Sequence, residues 1–297
     1  MYVRFNDYGR LNNNKEIDDY KEFYRTISNK IEFGGDFTHF DYLAKNRFMD
    51  TLSPVMNTVL RKHPKNILDI GCGNGINLPL SKILPYIEYH GIDYADKTIE
   101  TAKTVFPNVK FYIGDAFNLP FIQNSFDIAI LSNVLILYNK EDDRVKLLSE
   151  IFRILKKNGI LILIVMNETK SLKIAIWISY LLGRMFKDKL PKDFMCVHFS
   201  HKDIKRLAQI LKSDIVQKFN TSHLYGILEC IRFLNLSKFR RKFGKNESEF
   251  IGHPVIILKD LQEQAGKLNF LTYLLYKAGN IFPSLFSFYS IYVLQKR

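Results

Sequence analysis

Short apolar runs alternate with longer amphipathic stretches from residue 65 onward. Strands that alternate with helices are typical of βαβ units, which build parallel sheets covered by helices on both faces. The pattern therefore predicts an α/β fold with a doubly wound sheet. The predicted strands lie at residues 66–70, 89–92, 109–113, 126–131 and 160–165, and the predicted helices at 76–84, 96–105 and 141–156.

Two helix boundaries are predicted from capping residues. Asp96 is expected to be the N-cap of the helix that it precedes, because a carboxylate can accept a bond from a free amide of the first turn. Asn158 and Gly159 are expected to end the long charged helix, because both residues tolerate the left-handed conformation that follows many helices.

The regular alternation weakens after residue 166. Residues 169–187 are apolar, Ser200 opens a further helix to about residue 212, a strand is expected at 215–219, and the alternating aromatic run 286–294 indicates a terminal strand. The predicted organisation has three parts. They are an N-terminal helical segment (1–64), a sheet domain (65–222 with 284–297) and an inserted basic helical cap (223–283).

A glycine loop follows the first predicted strand. It contains Gly71, Gly73 and Gly75 at alternate positions, with Cys72 and Asn74 between them. Such a loop turns tightly and brings its backbone close to a ligand that side chains would hold away. The dinucleotide fingerprint would instead place its third glycine at position 76. The loop therefore indicates a nucleoside cofactor of another kind.

Two carboxylates follow the next two predicted strands. Asp93 ends the second strand, where a carboxylate can accept both hydroxyl protons of a ribose. Asp115 follows the third strand, near the place where an adenine amino group needs an acceptor. Ligands of open α/β sheets bind outside the carboxyl ends of the strands. The spacing therefore predicts one adenosine lying across this edge of the sheet.

Over roughly residues 65–166 the sequence resembles the class I S-adenosylmethionine-dependent methyltransferases. The resemblance rests on the glycine loop, the two carboxylates, and the stretches at 126–135 and 154–161. It implies S-adenosylmethionine as cofactor, S-adenosylhomocysteine as product, and a Rossmann-like seven-stranded sheet with an antiparallel last strand. The cofactor-binding residues implied are Asp69, Gly71, Cys72, Gly73, Asn74 and Gly75 for the methionine part, Asp93 for the ribose, Asp115 and Ala116 for the adenine, and Ser132 and Asn133 near the amino acid end. Tyr94 is a further residue that is expected to bind the cofactor.

The chemistry implied is a direct displacement at a sulfonium, which mainly requires alignment and the exclusion of water. A hydroxyl acceptor would also use a base, and oxygen is the expected acceptor atom. His198 and His39 are the candidate bases, whereas His201 is expected at a helix start and His90 within a strand. The expected substrate is a small apolar, lipid-linked or sugar-type molecule.

The absence of two sequence motifs narrows the range of expected acceptors. The segment after the fourth strand, from Asn133 to Ile136, is not the Asn/Asp-Pro-Pro-aromatic loop of amino-methylating nucleic acid enzymes, and the chain has no Pro-Cys dipeptide. DNA is therefore not expected as a substrate, and RNA is disfavoured. Three cysteines without a CxxC pair predict neither a disulfide framework nor a metal site. With no signal peptide apparent, the chain is expected in the cytoplasm.

Positive charge is concentrated in the second half of the chain. Residues 1–150 carry 18 basic and 20 acidic side chains, whereas residues 151–297 carry 25 and 10. The densest patch, residues 238–245, begins with Lys238 and ends with Lys245. It is either a solvated face or a contact for an anionic surface, such as the inner face of a membrane. A non-catalytic binding protein and an RNA-directed methyltransferase are the alternative functions, and the sequence leaves the oligomeric state open.

Overall fold

A computed structural model gives the structure of the chain. It describes residues 42–73, 77–170, 174, 197–221, 287 and 289–297, with the backbone alone for 42–50. The predicted basic cap at 223–283, its patch at 238–245 and the candidate base His39 lie outside the described residues. No helix in the described part of the chain is long and apolar enough to cross a membrane.

The helices and strands follow one another in the predicted alternation. Their bounds are α1 Tyr42–Lys62, β1 Asn66–Ile70, α2 Pro79–Ile83, β2 Glu88–Asp93, α3 Asp96–Val105, β3 Lys110–Ile113, β4 Phe126–Ser132, α4 Glu141–Ile154, β5 Leu155–Met166, α5 His201–Ile210, β6 Ser213–Thr221 and β7 Tyr289–Lys296. A single 3₁₀ turn, Leu135–Leu137, lies between β4 and α4.

The seven strands form one sheet in the order β3-β2-β1-β4-β5-β7-β6. The five strands from β3 to β5 are parallel to their neighbours. The last strand along the chain, β7, lies between β5 and β6 and is antiparallel to both. The predicted α/β class and the antiparallel last strand are therefore confirmed.

Each face of the sheet carries its own hydrophobic core. Successive side chains of a strand point to opposite faces, so Ile67 packs in one core and Leu68 in the other. Buried Val55 and Val59 of α1 lie in the first core, whereas α4 and α5 cover the second. The central strands β4 and β5 are apolar on both faces, as expected where helices cover both sides of a parallel sheet.

Both predicted helix caps are wrong. The helix α3 begins at Asp96, and its N-cap is Ala95, which makes no side-chain capping bond. The helix α4 ends at Ile154, and the chain passes directly into β5. Asn158 does adopt a left-handed conformation, with φ of 63°, but it lies within β5 rather than at the end of the helix.

Candidate cofactor-binding site

Three acidic side chains lie along one edge of the sheet, where the parallel strands end. Asp69 is the penultimate residue of β1, Asp93 is the last residue of β2, and Asp115 follows β3 by two residues. In the β-sheet register Asp69 lies beside Gly91 and Asp93 beside Ile113. The fold therefore places the three carboxyl groups along the carboxyl edge of the sheet, as the sequence predicts.

The glycine loop is held against β2 by its own backbone. The amides of Gly71 and Cys72 both donate to the Ile92 carbonyl, at 2.8 and 3.1 Å. Gly71 has φ of 66°, and a Cβ added there would lie 2.4 Å from Cγ2 of Val134. Gly73 has φ of 52°, and a Cβ there would meet no atom within 4 Å. The first glycine is thus required by packing and the second borders open space. Asn74 and Gly75 lie outside the described residues.

Asp93 joins the glycine loop to the start of α3. Its Oδ2 accepts a bond from the Gly73 amide at 2.9 Å, and its Oδ1 accepts one from the Ala95 amide at 3.0 Å. Burial raises the pKa of Asp93, although these backbone bonds and one from Tyr94 act in the opposite direction. The carboxylate therefore fixes the two loops on either side of it and leaves its remaining lone pairs for a ligand.

Asp69 is a fully buried carboxyl group with little to stabilise its charge. Its Oδ1 accepts a long bond, 3.5 Å, from Nδ2 of Asn77, and its Oδ2 has no hydrogen-bond partner among the described residues. Burial, with a smaller effect of the Asp93 charge, raises the pKa of Asp69 to about 8. A buried carboxyl with an unused oxygen is costly unless a donor or a cation completes it.

Asp115 organises the turn that follows β3. Its Oδ1 accepts a bond from the Phe117 amide at 3.0 Å, and its carbonyl accepts one from the Asn118 amide. Ala116 and Phe117 are both half-buried in this turn. The Phe117 ring packs edge-on against Tyr138, with 5.1 Å between the ring centroids. Tyr138 lies just after β4, so this contact joins the turn after β3 to the loop after β4.

Ser132 and Asn133 lie where β4 ends. Asn133 has φ of 59°, a conformation that asparagine tolerates better than most residues. Its amide donates to the Ile164 carbonyl at 3.0 Å, which ties the turn to β5. Its Oδ1 is buried and has no hydrogen-bond partner within the described part of the chain. The end of β4 therefore carries a second buried polar oxygen at the same edge as Asp69.

His198 lies on a short extended segment, residues 197–199, at this edge. The Val197 amide donates to the Ile136 carbonyl at 2.7 Å, and the Phe199 amide donates to the Met166 carbonyl at 2.8 Å. Val197 and Phe199 both pack on the second core. Because side chains alternate along an extended segment, His198 is directed away from that core. The segment is thus fixed to the ends of both β4 and β5.

His201 and His90 have structural surroundings. His201 is the first residue of α5 and stacks on Tyr292, with centroids 5.8 Å apart. His90 lies within β2, as predicted, and its Nδ1 is 3.3 Å from the Tyr112 hydroxyl.

Cys72 is buried, and burial raises the pKa of its thiol. Among the residues that the structure describes, no cluster of acidic, histidine and cysteine side chains could hold a metal ion.

Sequence reasoning missed Tyr138 and Arg144. Arg144 is 2% exposed, although it lies in the first turns of α4 among three acidic residues, where a charged side chain normally faces water. Its Nε donates to the Tyr138 carbonyl at 2.6 Å and its Nη2 to the Asn139 carbonyl at 2.9 Å. The hydrophobic pattern of α4 gives no sign of this burial, because the side chain lies against backbone carbonyls of a loop.

Comparison with known proteins identifies relatives of the sheet domain. A family described as a methyltransferase domain matches residues 61–191. Demethylmenaquinone methyltransferase of Thermotoga maritima is 32% identical over 111 residues, which are 37% of this chain and 47% of that protein. The tRNA (carboxymethyluridine(34)-5-O)-methyltransferase of Schizosaccharomyces pombe is 31% identical over 137 residues, which are 44% of this chain and 57% of that protein. The chain spans about half the length of these relatives.

Solved structures share the fold at lower sequence identity. Magnesium protoporphyrin IX methyltransferase of Synechocystis, solved with bound S-adenosylhomocysteine, has a TM-score of 0.52 and 18% identity. The alignment covers 71% of this chain and 94% of that one. This likeness concerns the arrangement of helices and strands.

Proposed function

Because the chain belongs to the class I S-adenosylmethionine-dependent methyltransferase family, we propose that it binds S-adenosylmethionine at the carboxyl edge of its sheet and transfers the methyl group to an organic acceptor. The proposal rests chiefly on Asp69, whose buried Oδ2 has no partner among the described residues. The ammonium group of the cofactor's methionine part supplies the donor and the charge that this oxygen lacks. The family thereby accounts for a carboxyl group that is costly to the fold by itself.

The remaining residues fit the other parts of the cofactor. Asp93 has lone pairs left after its bonds to Gly73 and Ala95, and a ribose offers two hydroxyl donors. The open space at Gly73 allows a ligand to approach the backbone closely. We assign Asp115 and the Ala116 backbone to the adenine, and Ser132 and Asn133 to the amino acid end.

When bound, the cofactor supplies a methyl group activated by a positively charged sulfur. The chain's own contribution is mainly orientation, because direct displacement needs the nucleophile, the methyl carbon and the sulfur in line. The rigid carboxyl edge provides this orientation, since its three carboxyl groups lie on neighbouring strands. On transfer, the carbon–sulfur bond would break with its electron pair left on sulfur, and the acceptor would lose a proton as its bond to the methyl carbon forms.

We propose a small hydroxylated acceptor, with oxygen as the acceptor atom and His198 as the base. The segment that carries His198 is fixed to the ends of β4 and β5, at the carboxyl edge of the sheet. The Thermotoga relative is named for a quinone precursor. Methylation at a ring carbon beside a hydroxyl needs the same ionised hydroxyl as methylation at oxygen, so a base serves both outcomes.

Transfer to RNA is the second candidate, because the Schizosaccharomyces relative is named as a tRNA methyltransferase that acts at oxygen. Both candidates place the same carboxylates on the cofactor and differ only in the acceptor. A third possibility is binding of the cofactor without turnover. The net charge of +13 is compatible with RNA, which binds basic surfaces in a salt-dependent way.

Calorimetry with S-adenosylmethionine, S-adenosylhomocysteine and NAD tests the cofactor. Micromolar binding of the two sulfur compounds and none of NAD is expected, and no binding of either sulfur compound would refute the proposal. Radiolabelled methyl transfer to reduced demethylmenaquinone, a panel of phenols and bulk tRNA then separates the acceptors. Mass spectrometry and NMR of the product distinguish oxygen from carbon methylation.

The role of His198 is tested by His198→Gln, with His201→Gln as the matched control three residues away. The first variant should lower kcat at least about a hundredfold with cofactor affinity intact, as expected for loss of a general base. The control should keep its activity, because His201 stacks on Tyr292 at the start of α5. Equal activity of the two variants would exclude His198 as the base.

A further inference from the structure

Arg144 is a buried cation in an unfavourable position. It lies in the first turns of α4, where the partial positive charge of the helix end disfavours a cation. No carboxylate lies within ion-pair distance of it in the part of the chain that the structure describes. Its charge is instead solvated by two backbone carbonyls, those of Tyr138 and Asn139. Burial of a charge with only neutral partners is costly, and a surface lysine would avoid that cost.

The same guanidinium also reaches the segment that carries His198. Its central carbon lies 4.9 Å from the centre of the Phe199 ring. Phe199 is 1% exposed and belongs to the second core. The guanidinium therefore lies between the loop after β4, which it binds through carbonyls, and the segment 197–199, which it contacts through an aromatic face.

Tyr138, which Arg144 holds by its carbonyl, borders the cofactor site. Its ring packs edge-on against Phe117, two residues after Asp115. Burial raises the pKa of Tyr138, and the charges of Asp115, Asp143 and Asp93 add to that rise. Because Phe117 lies in the turn that Asp115 organises, the position of the Tyr138 backbone sets one wall of that turn.

We infer that Arg144 is a positioning residue that holds the cofactor-side loop and the acceptor-side segment in one fixed arrangement. Its hydrogen bonds hold Tyr138 against Phe117, in the turn that Asp115 organises, and its contact with Phe199 places the segment that carries His198. The bond from the Val197 amide to the Ile136 carbonyl also links the segment 197–199 to the loop after β4. This inference rests on the proposed function for its meaning, but part of its test is independent of any cofactor.

Arg153 provides a matched control on the same helix. Its Nη1 and Nη2 donate to the carbonyls of Phe121 and Leu119, at 2.8 and 3.1 Å, and it also pairs with Glu150. It thus also bonds to backbone carbonyls, here in the loop between β3 and β4, beyond the turn that Asp115 organises. The Arg153 side chain is 38% exposed whereas Arg144 is 2% exposed, so urea unfolding of each variant separates a loss of stability from a loss of affinity.

The first test compares Arg144→Met and Arg144→Lys with Arg153→Met and Arg153→Lys, all as the full chain. Calorimetry measures affinity for S-adenosylhomocysteine and for methylthioadenosine, which lacks the amino acid part. Both Arg144 variants should bind both compounds at least about tenfold more weakly, because they lose the planar guanidinium that bonds the Tyr138 and Asn139 carbonyls together. The Arg153 variants should stay within about twofold of wild type. Equal losses at the two positions, or none at Arg144, would overturn the inference.

A second test needs no cofactor. Amide hydrogen exchange at Val197, followed in protein labelled with ¹⁵N-valine, reports the bond to Ile136 directly. Exchange should be at least about tenfold faster in Arg144→Lys than in Arg153→Lys, because the segment 197–199 loses its anchor. Equal exchange in the two variants would overturn the inference, whether or not the wild type binds a cofactor. If exchange is faster in Arg144→Lys but the wild type binds no cofactor, the proposed function alone fails. Should Arg144→Met not fold, Arg144→Lys, which keeps the charge, carries both tests.

Discussion

Replacing Asp69 by Asn should stabilise the protein and weaken its affinity for the cofactor. The side chain is 0% exposed, its Oδ2 is unpartnered among the described residues, and its pKa is raised to about 8. At pH 7 the folded protein therefore holds a proton that the unfolded chain, with an Asp pKa near 3.8, has released. At about 1.4 kcal/mol per pKa unit, this difference costs the fold about 4 kcal/mol at pH 7.

The sign of the pH dependence follows from the raised pKa. Stability of the wild type should fall as pH rises from about 4 to about 8, because the unfolded state increasingly gains by ionising Asp69, and it should then level off. Asp69→Asn should lack this fall and exceed the wild type at pH 7 by up to about 4 kcal/mol. Urea unfolding at pH 5, 7 and 8 measures both slopes.

Cofactor affinity should depend on pH in the opposite direction to stability. Binding of the ammonium group requires ionised Asp69, so affinity for S-adenosylhomocysteine should rise about tenfold between pH 6 and pH 7 and peak near pH 8, above which the ammonium group itself loses its proton. Methylthioadenosine has no ammonium group, and its affinity should change little. In Asp69→Asn, S-adenosylhomocysteine should bind about 30-fold more weakly at pH 8, from the loss of about 2 kcal/mol.

Asp127 offers the matched control for this experiment. It is a carboxylate at the start of β4 that accepts bonds from the amides of Lys65 and Asn66 and pairs with Lys156 at 2.7 Å. Asp127→Asn should weaken the fold and leave cofactor affinity unchanged. A flat affinity profile between pH 6 and pH 8 in the wild type, or wild-type affinity in Asp69→Asn, would refute the assignment of Asp69 to the ammonium group.

Three further substitutions test other parts of the structure. Asp93→Ala should weaken binding of both S-adenosylhomocysteine and methylthioadenosine by at least about tenfold in calorimetry, since a charged acceptor is lost, and unchanged affinity in a folded variant would disprove the ribose assignment. Gly71→Ala should destabilise the fold by about 1–3 kcal/mol in urea unfolding, because φ is 66° and Val134 lies 2.4 Å from the added carbon. Ser200→Ala should cost about 1 kcal/mol by the same measurement, because Ser200 and Asp203 form a capping box at α5, and it should leave cofactor affinity intact.

Most of the fold is predictable from the sequence because its signals are local. The strands are apolar on both faces and bounded by turn residues, so the predicted starts and ends of β1 and β4 lie within one residue of those observed. The start of β5 was misplaced because Asn158 and Gly159 look like the end of a helix. A Cβ at Gly159 would lie 2.8 Å from the Lys156 carbonyl, so that glycine serves close packing inside the strand.

Some residues of the candidate site could likewise be predicted from the sequence, and others could not. Asp69, Asp93 and Asp115 could be found because each lies at or just beyond the end of a recognisable strand, and topology alone brings strand ends to one edge. Arg144 and Tyr138 could not, because their positions depend on which loop packs over the start of α4. The contact of Arg144 with Phe199 joins residues 55 positions apart, and no periodicity in the sequence encodes it.

The position of β7 in the sheet affects how the chain folds during synthesis. It follows the other described strands along the chain, yet it supplies the partner of β6 and one neighbour of β5. Until residues 289–296 are synthesised, β6 lacks its partner among the described strands and β5 exposes an open edge, which can pair with another nascent chain. The interval between the synthesis of β6 and that of β7 is therefore the period in which both edges are open.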